Sequence, residues 1–261
     1  MAASPAQARV VVITRPLAQA EQLAERIRLH GREAVLFPLL EIQALADSAA
    51  LRAALSRIAE YTLVAFVSPN AIDAALAHIS QWPPGVALAV MGEGSMAALA
   101  RHGLSDANAT IFRPRDPDRT DSETLLEALD IAAVAGGQVL IVRGESGREL
   151  LADRLREHGA IVTQVAAYRR TAPALTEERA RQLHALIEQK NLWLITSSEA
   201  LRNLDAMVRQ LDDPACVVKM QQQTIFAPHA RIAESGRELG FIDIVQTGSG
   251  DENLLKALSA S

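Results

Sequence analysis

Residues 138–165 read QVLIVRGESGRELLADRLREHGAIVTQV, and the order of residue types in this stretch decides the fold. An apolar run, Val139–Val142, stops at a polar, glycine-bearing turn, Arg143-Gly144-Glu145-Ser146-Gly147. Apolar residues then recur at helical spacing through Leu150, Leu151 and Leu155 to His158. His158-Gly159 closes the helix, because glycine takes the left-handed conformation of a helix stop without steric cost. The imidazole before it suits the negative end of the helix dipole. A new apolar run, Ile161–Val165, starts at once. Strand, turn, helix, stop and strand make a βαβ unit, which puts parallel strands under covering helices.

The same unit recurs in both directions along the chain. Further apolar runs are Val10–Thr14, Leu63–Val67, Val86–Met91, Leu192–Thr196 and Thr224–Ala227. They end in Arg15-Pro16, Ser68-Pro69-Asn70, Gly92-Glu93-Gly94-Ser95, Ser197-Ser198-Glu199 and Pro228-His229, turns rich in helix-capping residues and first-turn prolines. His30-Gly31, His102-Gly103 and Leu239-Gly240 repeat the stop signal, and Ala34–Phe37 and Phe241–Val245 follow two of these stops as strands. Nine or ten strands are too many for one comfortable sheet and suit two sheets of five. Two segments break the rhythm: residues 34–45 and 160–173 are long, extended and proline-bearing, and read as paired connectors. The expected architecture is α/β, with two doubly wound parallel-sheet (flavodoxin-like) lobes joined by a two-stranded connector. Residues 1–35 with 172–261 form a discontinuous outer lobe, and residues 38–168 form the inner lobe.

Composition narrows the function classes. The 261 residues carry 26 Lys plus Arg against 31 Asp plus Glu, a net charge of −5, without the basic excess of a general nucleic-acid or membrane-surface binder. Only Lys190, Lys219 and Lys256 are lysines, so arginine, with its planar donor fork, dominates the positive charge. Cys216 is the sole cysteine, which rules out an internal disulfide framework and a multi-cysteine metal site, and points to a reducing compartment. The histidines never take metal-pair spacing. No apolar run approaches the roughly 20 residues that cross a bilayer, and MAASPAQAR lacks the apolar core of a secretory signal. The expectation is a cytoplasmic protein.

Ligands of open parallel sheets bind at the carboxyl ends of the strands, where every turn above lies and where helix N-termini present unpaired N–H groups to anions. With two lobes, two such rims can face each other across a cleft. Ser68, Asn70, Ser197 and Ser198 are therefore either simple helix caps or parts of a ligand rim. Arg143-Gly144-Glu145-Ser146-Gly147-Arg148 is the most specific turn, since glycines let the backbone approach an anion between two arginines. Tyr168, one of two tyrosines, ends the second connector; its phenol can donate to a leaving hydroxyl or simply pack. Gly92-Glu-Gly-Ser-Met-Ala97 fits a dinucleotide turn, but the next strand ends in Arg113-Pro114-Arg115 rather than in an acidic residue. There is no phosphate-binding loop of the Walker type and no nucleophile elbow.

Taken in order, several short motifs resemble the uroporphyrinogen-III synthase family. They are Val-Ile-Thr14-Arg15-Pro16, Phe37-Pro-Leu-Leu-Glu-Ile42, Phe66-Val-Ser-Pro-Asn-Ala71, Val90-Met-Gly92, Ile141-Val-Arg-Gly-Glu-Ser-Gly-Arg148, Tyr168-Arg-Arg170, Ile195-Thr-Ser-Ser198 and Arg231-Ile-Ala-Glu234. The resemblance implies cyclisation of hydroxymethylbilane, a linear tetrapyrrole with eight carboxylates, to uroporphyrinogen III, with loss of water and inversion of the D ring. It implies that Tyr168 resembles the tyrosine assisting hydroxyl departure, and that Thr14, Arg15, Ser68, Asn70, Gly92, Ser95, Arg143, Gly144, Ser197, Ser198 and Arg231 line the substrate. Gly94-Ser95 departs from the family, which often has threonine then alanine there. His229 shares the turn of Arg231, which is the better carboxylate clamp. No metal or organic cofactor is implied, nor nucleic acid or membrane. A monomer is expected, with transient contact with the preceding pathway enzyme. Two alternatives stay open: a non-catalytic, two-lobed ligand-binding relative, and a nucleotide-binding protein using the Gly92 turn.

Overall fold

The structure is a computed structural model and describes residues 9–116 and 122–261. The start of the chain, and with it most of MAASPAQAR, lies outside the described residues, as do residues 117–121, which follow shortly after Arg113-Pro114-Arg115. Eleven strands are seen among the described residues: β1 Val11–Ile13, β2 Ala34–Leu36, β3 Glu41–Ala44, β4 Leu63–Phe66, β5 Ala87–Val90, β6 Ile111–Phe112, β7 Gln138–Gly144, β8 Ile161–Thr171, β9 Leu192–Leu194, β10 Thr224–Ala227 and β11 Asp243–Gln246. They form two sheets. Internal contacts group the residues up to Glu41 with Thr171–Ser261 as one unit, and Ile42–Arg170 as the other. The chain thus passes between the units twice, within β3 and β8, which are neighbours in the second sheet.

The first unit holds the sheet β11-β10-β9-β1-β2, parallel throughout. In chain order within the unit this is 2-1-3-4-5, the flavodoxin-like arrangement, and its direction of winding reverses between β1 and β9. All three residues of β1 and of β9 are buried, as expected where helices cover both faces of a parallel sheet. The amino ends of the strands are stapled by side-chain amides. Asn191 Oδ1 accepts from Val10 N (3.0 Å), and Gln223 Oε1 accepts from Asn191 N (2.7 Å) and from Trp193 Nε1 (3.3 Å). Phe37 meets Trp193 edge to face, with ring centres 6.2 Å apart.

The second unit holds β3-β8-β7-β4-β5-β6. From β8 to β6 the pairing is parallel, in the unit order 5-4-1-2-3, so this sheet reverses between β4 and β7. β4 is buried along its whole length and so is nearly all of β7.

The helix stops take the form their sequence asks for. His30, His102, His158 and Leu239 close their helices. The following Gly31, Gly103, Gly159 and Gly240 all have φ between +75° and +87°, where any side chain is strained. Residues 34–45 are not one extended piece: β2 ends at Leu36 and β3 starts at Glu41. Residues 161–171 are continuous strand.

Candidate active site

A doubly wound sheet opens a crevice where neighbouring connections leave in opposite directions, at the carboxyl ends of the strands flanking the reversal. In the second unit those strands are β4 and β7, which end at Phe66 and Gly144. Ser68 follows β4 in extended conformation and caps the helix Pro69–Leu76, its Oγ accepting from Ala71 N at 3.2 Å. Proline at the first helical position loses nothing there, because that N–H has no partner in a helix.

The Ser68 Oγ also lies 3.0 Å from the Tyr168 hydroxyl. Tyr168 is 5% exposed. It reaches this place through an irregularity in pairing: Arg143 faces Ala166, but Gly144 faces Tyr168, so Ala167 is the extra residue of a bulge. Strand side chains alternate between faces, so an inserted residue re-aims everything after it. Ala167 and Tyr168 accordingly enter the same core cluster, with Phe66 and Val142. Gly144 leaves room for the ring, since a Cβ there would stand 3.1 Å from Tyr168 Cζ. A cavity of about 460 Å³ opens to solvent beside Tyr168; its exposed wall is mostly apolar, with Gln43, Ser48, Asn70, Asp73 and His78 also lining it. Its volume sits at the lower end of the range for small-molecule sites, roughly 300–1,000 Å³.

Arg143 is 8% exposed and does not present its charge to solvent. Its guanidinium donates to Glu149 and to Gln164 Oε1 (2.8 Å), while Gln164 Nε2 donates to Glu149 Oε2 (2.6 Å). The amide of Gln164 and the guanidinium of Arg143 together hold the Glu149 carboxyl below its usual range. Gly147 lies against this arginine, with no room for a Cβ. Gly92 caps the helix Glu93–Arg101 at φ 154°, and Ser95 in its first turn is buried. The strand after that helix ends before Arg113, which pairs with Asp106 (2.9 Å), so the acidic partner of a dinucleotide ribose is missing at that end.

In the first unit the reversal lies between β1 and β9. Thr14 is buried and its Oγ1 donates to the Leu194 carbonyl (2.7 Å), bridging the two strands. Ser197 caps the helix Ser198–Arg209, accepting from Glu199 N and Ala200 N at 3.1 and 3.4 Å. The Ser198 Oγ lies 3.2 Å from the Ser235 hydroxyl, which donates to the Arg231 carbonyl (3.0 Å). Arg231 is exposed, without an ion-pair partner among the described residues. Arg15 instead is paired with Asp251 (2.6 Å) at the start of the helix Asp251–Ser259.

The structure therefore joins Ser68, Gly144 and Tyr168 directly, with Asn70 at the adjoining cavity, and joins Ser198 to Arg231 through Ser235. Arg15 and Arg143 are turned to carboxylates of the chain itself. Sequence reasoning missed those partners, Glu149, Gln164 and Asp251, and also the turn Thr247–Gly250. That turn follows β11 and has the same form as the others, with Gly248 and Gly250 at φ +87° and +86° around a buried Ser249. Its two glycines before an acidic first helical turn were the available signal.

A family model described as uroporphyrinogen-III synthase HemD matches residues 21–253. The uroporphyrinogen-III synthase of Salmonella typhimurium is 32% identical over 255 residues, covering 95% of this chain and 99% of the relative. That of Escherichia coli is 31% identical over 254 residues, with coverages of 95% and 99%. A solved uroporphyrinogen-III synthetase from Helicobacter pylori has the same fold, with a TM-score of 0.59, 16% identity and coverages of 98% and 100%. Two α/β units with switch-point rims, together with this end-to-end similarity, place the chain in the uroporphyrinogen-III synthase family.

Proposed function

We propose that this protein is a lyase that cyclises hydroxymethylbilane to uroporphyrinogen III, with loss of water and inversion of the D ring, in tetrapyrrole (heme) biosynthesis. The observation that carries this reading is the Tyr168–Ser68 hydroxyl pair at the second unit's switch point, within a chain that matches the family nearly end to end.

The reaction asks for two things. A hydroxymethyl group must leave as water, and the resulting azafulvene cation must be attacked so that the ring closes through a spiro intermediate into the inverted isomer. Tyr168 donates its hydroxyl proton toward the departing oxygen. Ser68 then donates to the phenol oxygen, and its own oxygen keeps accepting from Ala71 N. Negative charge growing on Tyr168 is thereby relayed to the positive end of the helix Pro69–Leu76.

Holding a floppy chain is the larger part of the task, because unassisted closure gives the symmetric isomer I. Orientation of this kind is worth up to roughly 7–11 kcal/mol. The turns carrying Thr14, Ser197 and Ser198 in the first unit, and Asn70, Gly92 and Ser95 in the second, offer helix N-terminal amides to the substrate's carboxylates. Arg231 adds an exposed guanidinium. Arg15 and Arg143, already paired within the chain, shape their turns. The scheme uses no metal or organic cofactor. No helix among the described residues is long and apolar enough to cross a membrane. A cytoplasmic monomer, receiving its labile substrate through transient contact with the preceding enzyme, completes the proposal.

The deciding assay supplies freshly made hydroxymethylbilane and separates the oxidised isomers. Predominant isomer III is expected; isomer I at the rate of the enzyme-free blank would overturn the reading.

A further inference from the structure

One cluster in the first unit plays no part in this scheme. The helix Pro214–Gln221 is capped by Asp213, whose Oδ1 accepts from Ala215 N (2.9 Å). Its other oxygen lies 3.7 Å from the Sγ of Cys216, in the same helical turn. The helix Glu177–Glu188 packs on this one and contributes His184, whose side chain is half-exposed. One ligand atom from each of His184, Asp213 and Cys216 lies within 4.8 Å of the others, the one such trio of metal-ligand types among the described residues.

We propose that His184, Asp213 and Cys216 bind a divalent transition-metal ion of the zinc type, which clasps the helices 177–188 and 214–221 together. The spacing suits the ion. With Zn–S near 2.3 Å and Zn–O near 2.1 Å, a tetrahedral site sets sulfur and oxygen about 3.6 Å apart, and Asp213 and Cys216 already stand 3.7 Å apart. One thiolate, one imidazole and one carboxylate favour zinc over magnesium or calcium, which take oxygen. Glu188 Oε1 lies 3.6 Å from His184 Nε2 and is anchored by Lys219 (2.6 Å).

Binding forms the metal–sulfur bond as the Cys216 thiol gives up its proton to solvent. Because the ligating form is the thiolate, binding releases a proton. None of the three residues lies on the rims, so the clasp is independent of the proposed reaction.

The test titrates Co²⁺ into the metal-free, full-length protein, watching for thiolate-to-cobalt charge transfer and for the visible bands of tetrahedral cobalt. One equivalent should bind, Zn²⁺ should displace it, and Cys216→Ser should lose the charge-transfer band. His184→Ala changes a half-exposed residue and so keeps the fold, which circular dichroism checks; it should weaken binding about tenfold or more, as should Asp213→Asn. No thiolate band in the wild type, or a band of unchanged affinity in His184→Ala, would overturn the site.

Discussion

The two sheets reverse direction at one point each, but the two switch points are dressed differently. In the second unit a phenol and a serine hydroxyl meet at 3.0 Å beside a mostly apolar cavity. In the first unit the hydroxyls face inward: Thr14 binds a strand carbonyl, Ser197 caps a helix, and Ser198 lies against Ser235. On the proposed reading, one rim moves a proton and the other presents backbone amides and the exposed guanidinium of Arg231. The sheets differ as well: the first has five strands in the order 2-1-3-4-5, and the second has six, with 5-4-1-2-3 running from β8 to β6.

The strongest way to break this division is Tyr168→Phe. It should slow formation of isomer III by about 100-fold, the lower end of what a positioned general acid supplies, while the melting temperature moves little. Wild-type turnover by this variant would remove Tyr168 from the reaction. Gly144→Ala sharpens the same point without touching the hydroxyl. Its methyl would stand 3.1 Å from Tyr168 Cζ, so the ring must give by a few tenths of an ångström. About a tenfold loss of turnover is expected, with a folded protein by circular dichroism; unchanged kinetics would show that ring placement is not limiting.

In the first unit the expectation inverts. Ser197→Ala should cost about 1 kcal/mol of stability, as loss of an N-cap does, and change turnover less than either variant above. Denaturant unfolding set beside steady-state kinetics checks this, and a large kinetic loss at unchanged stability would erase the contrast between the rims. The smallest effect concerns Glu149. Its carboxyl is held down by Gln164 and Arg143, so its stabilising contribution is present above the ordinary carboxylate value and disappears as pH falls through the lowered one. The melting temperatures of wild type and Glu149→Gln should differ most at neutral pH and converge in acid. A gap that persists or widens there would show that the arginine turn is held by something else.

Much of this was legible in the residues. The apolar runs, the stops at Gly31, Gly103, Gly159 and Gly240, and the capping serines Ser68 and Ser197 act within one helix or turn, so local residue types suffice to read them. Arg143 and Arg15 show the limit. Both look like free anion receptors in their turns, yet each is turned to a carboxylate, in the case of Arg15 one that lies 236 positions away. His184 shows it too, since its approach to Asp213 and Cys216 depends on two separate helices packing together.

By itself the sequence determined the repeating βαβ grammar, the positions of the amide-bearing turns and the kinship carried by short motifs, because these depend on propensities and periods that span a few residues. Only the tertiary structure decided where each sheet reverses and that Ser68 and Tyr168, 100 positions apart, share a hydrogen bond. It also placed Ala167 as the bulge that turns Tyr168 toward Ser68. Strand order and register are set by how whole faces bury against one another, and a one-residue shift between strands leaves no mark on the local pattern of either.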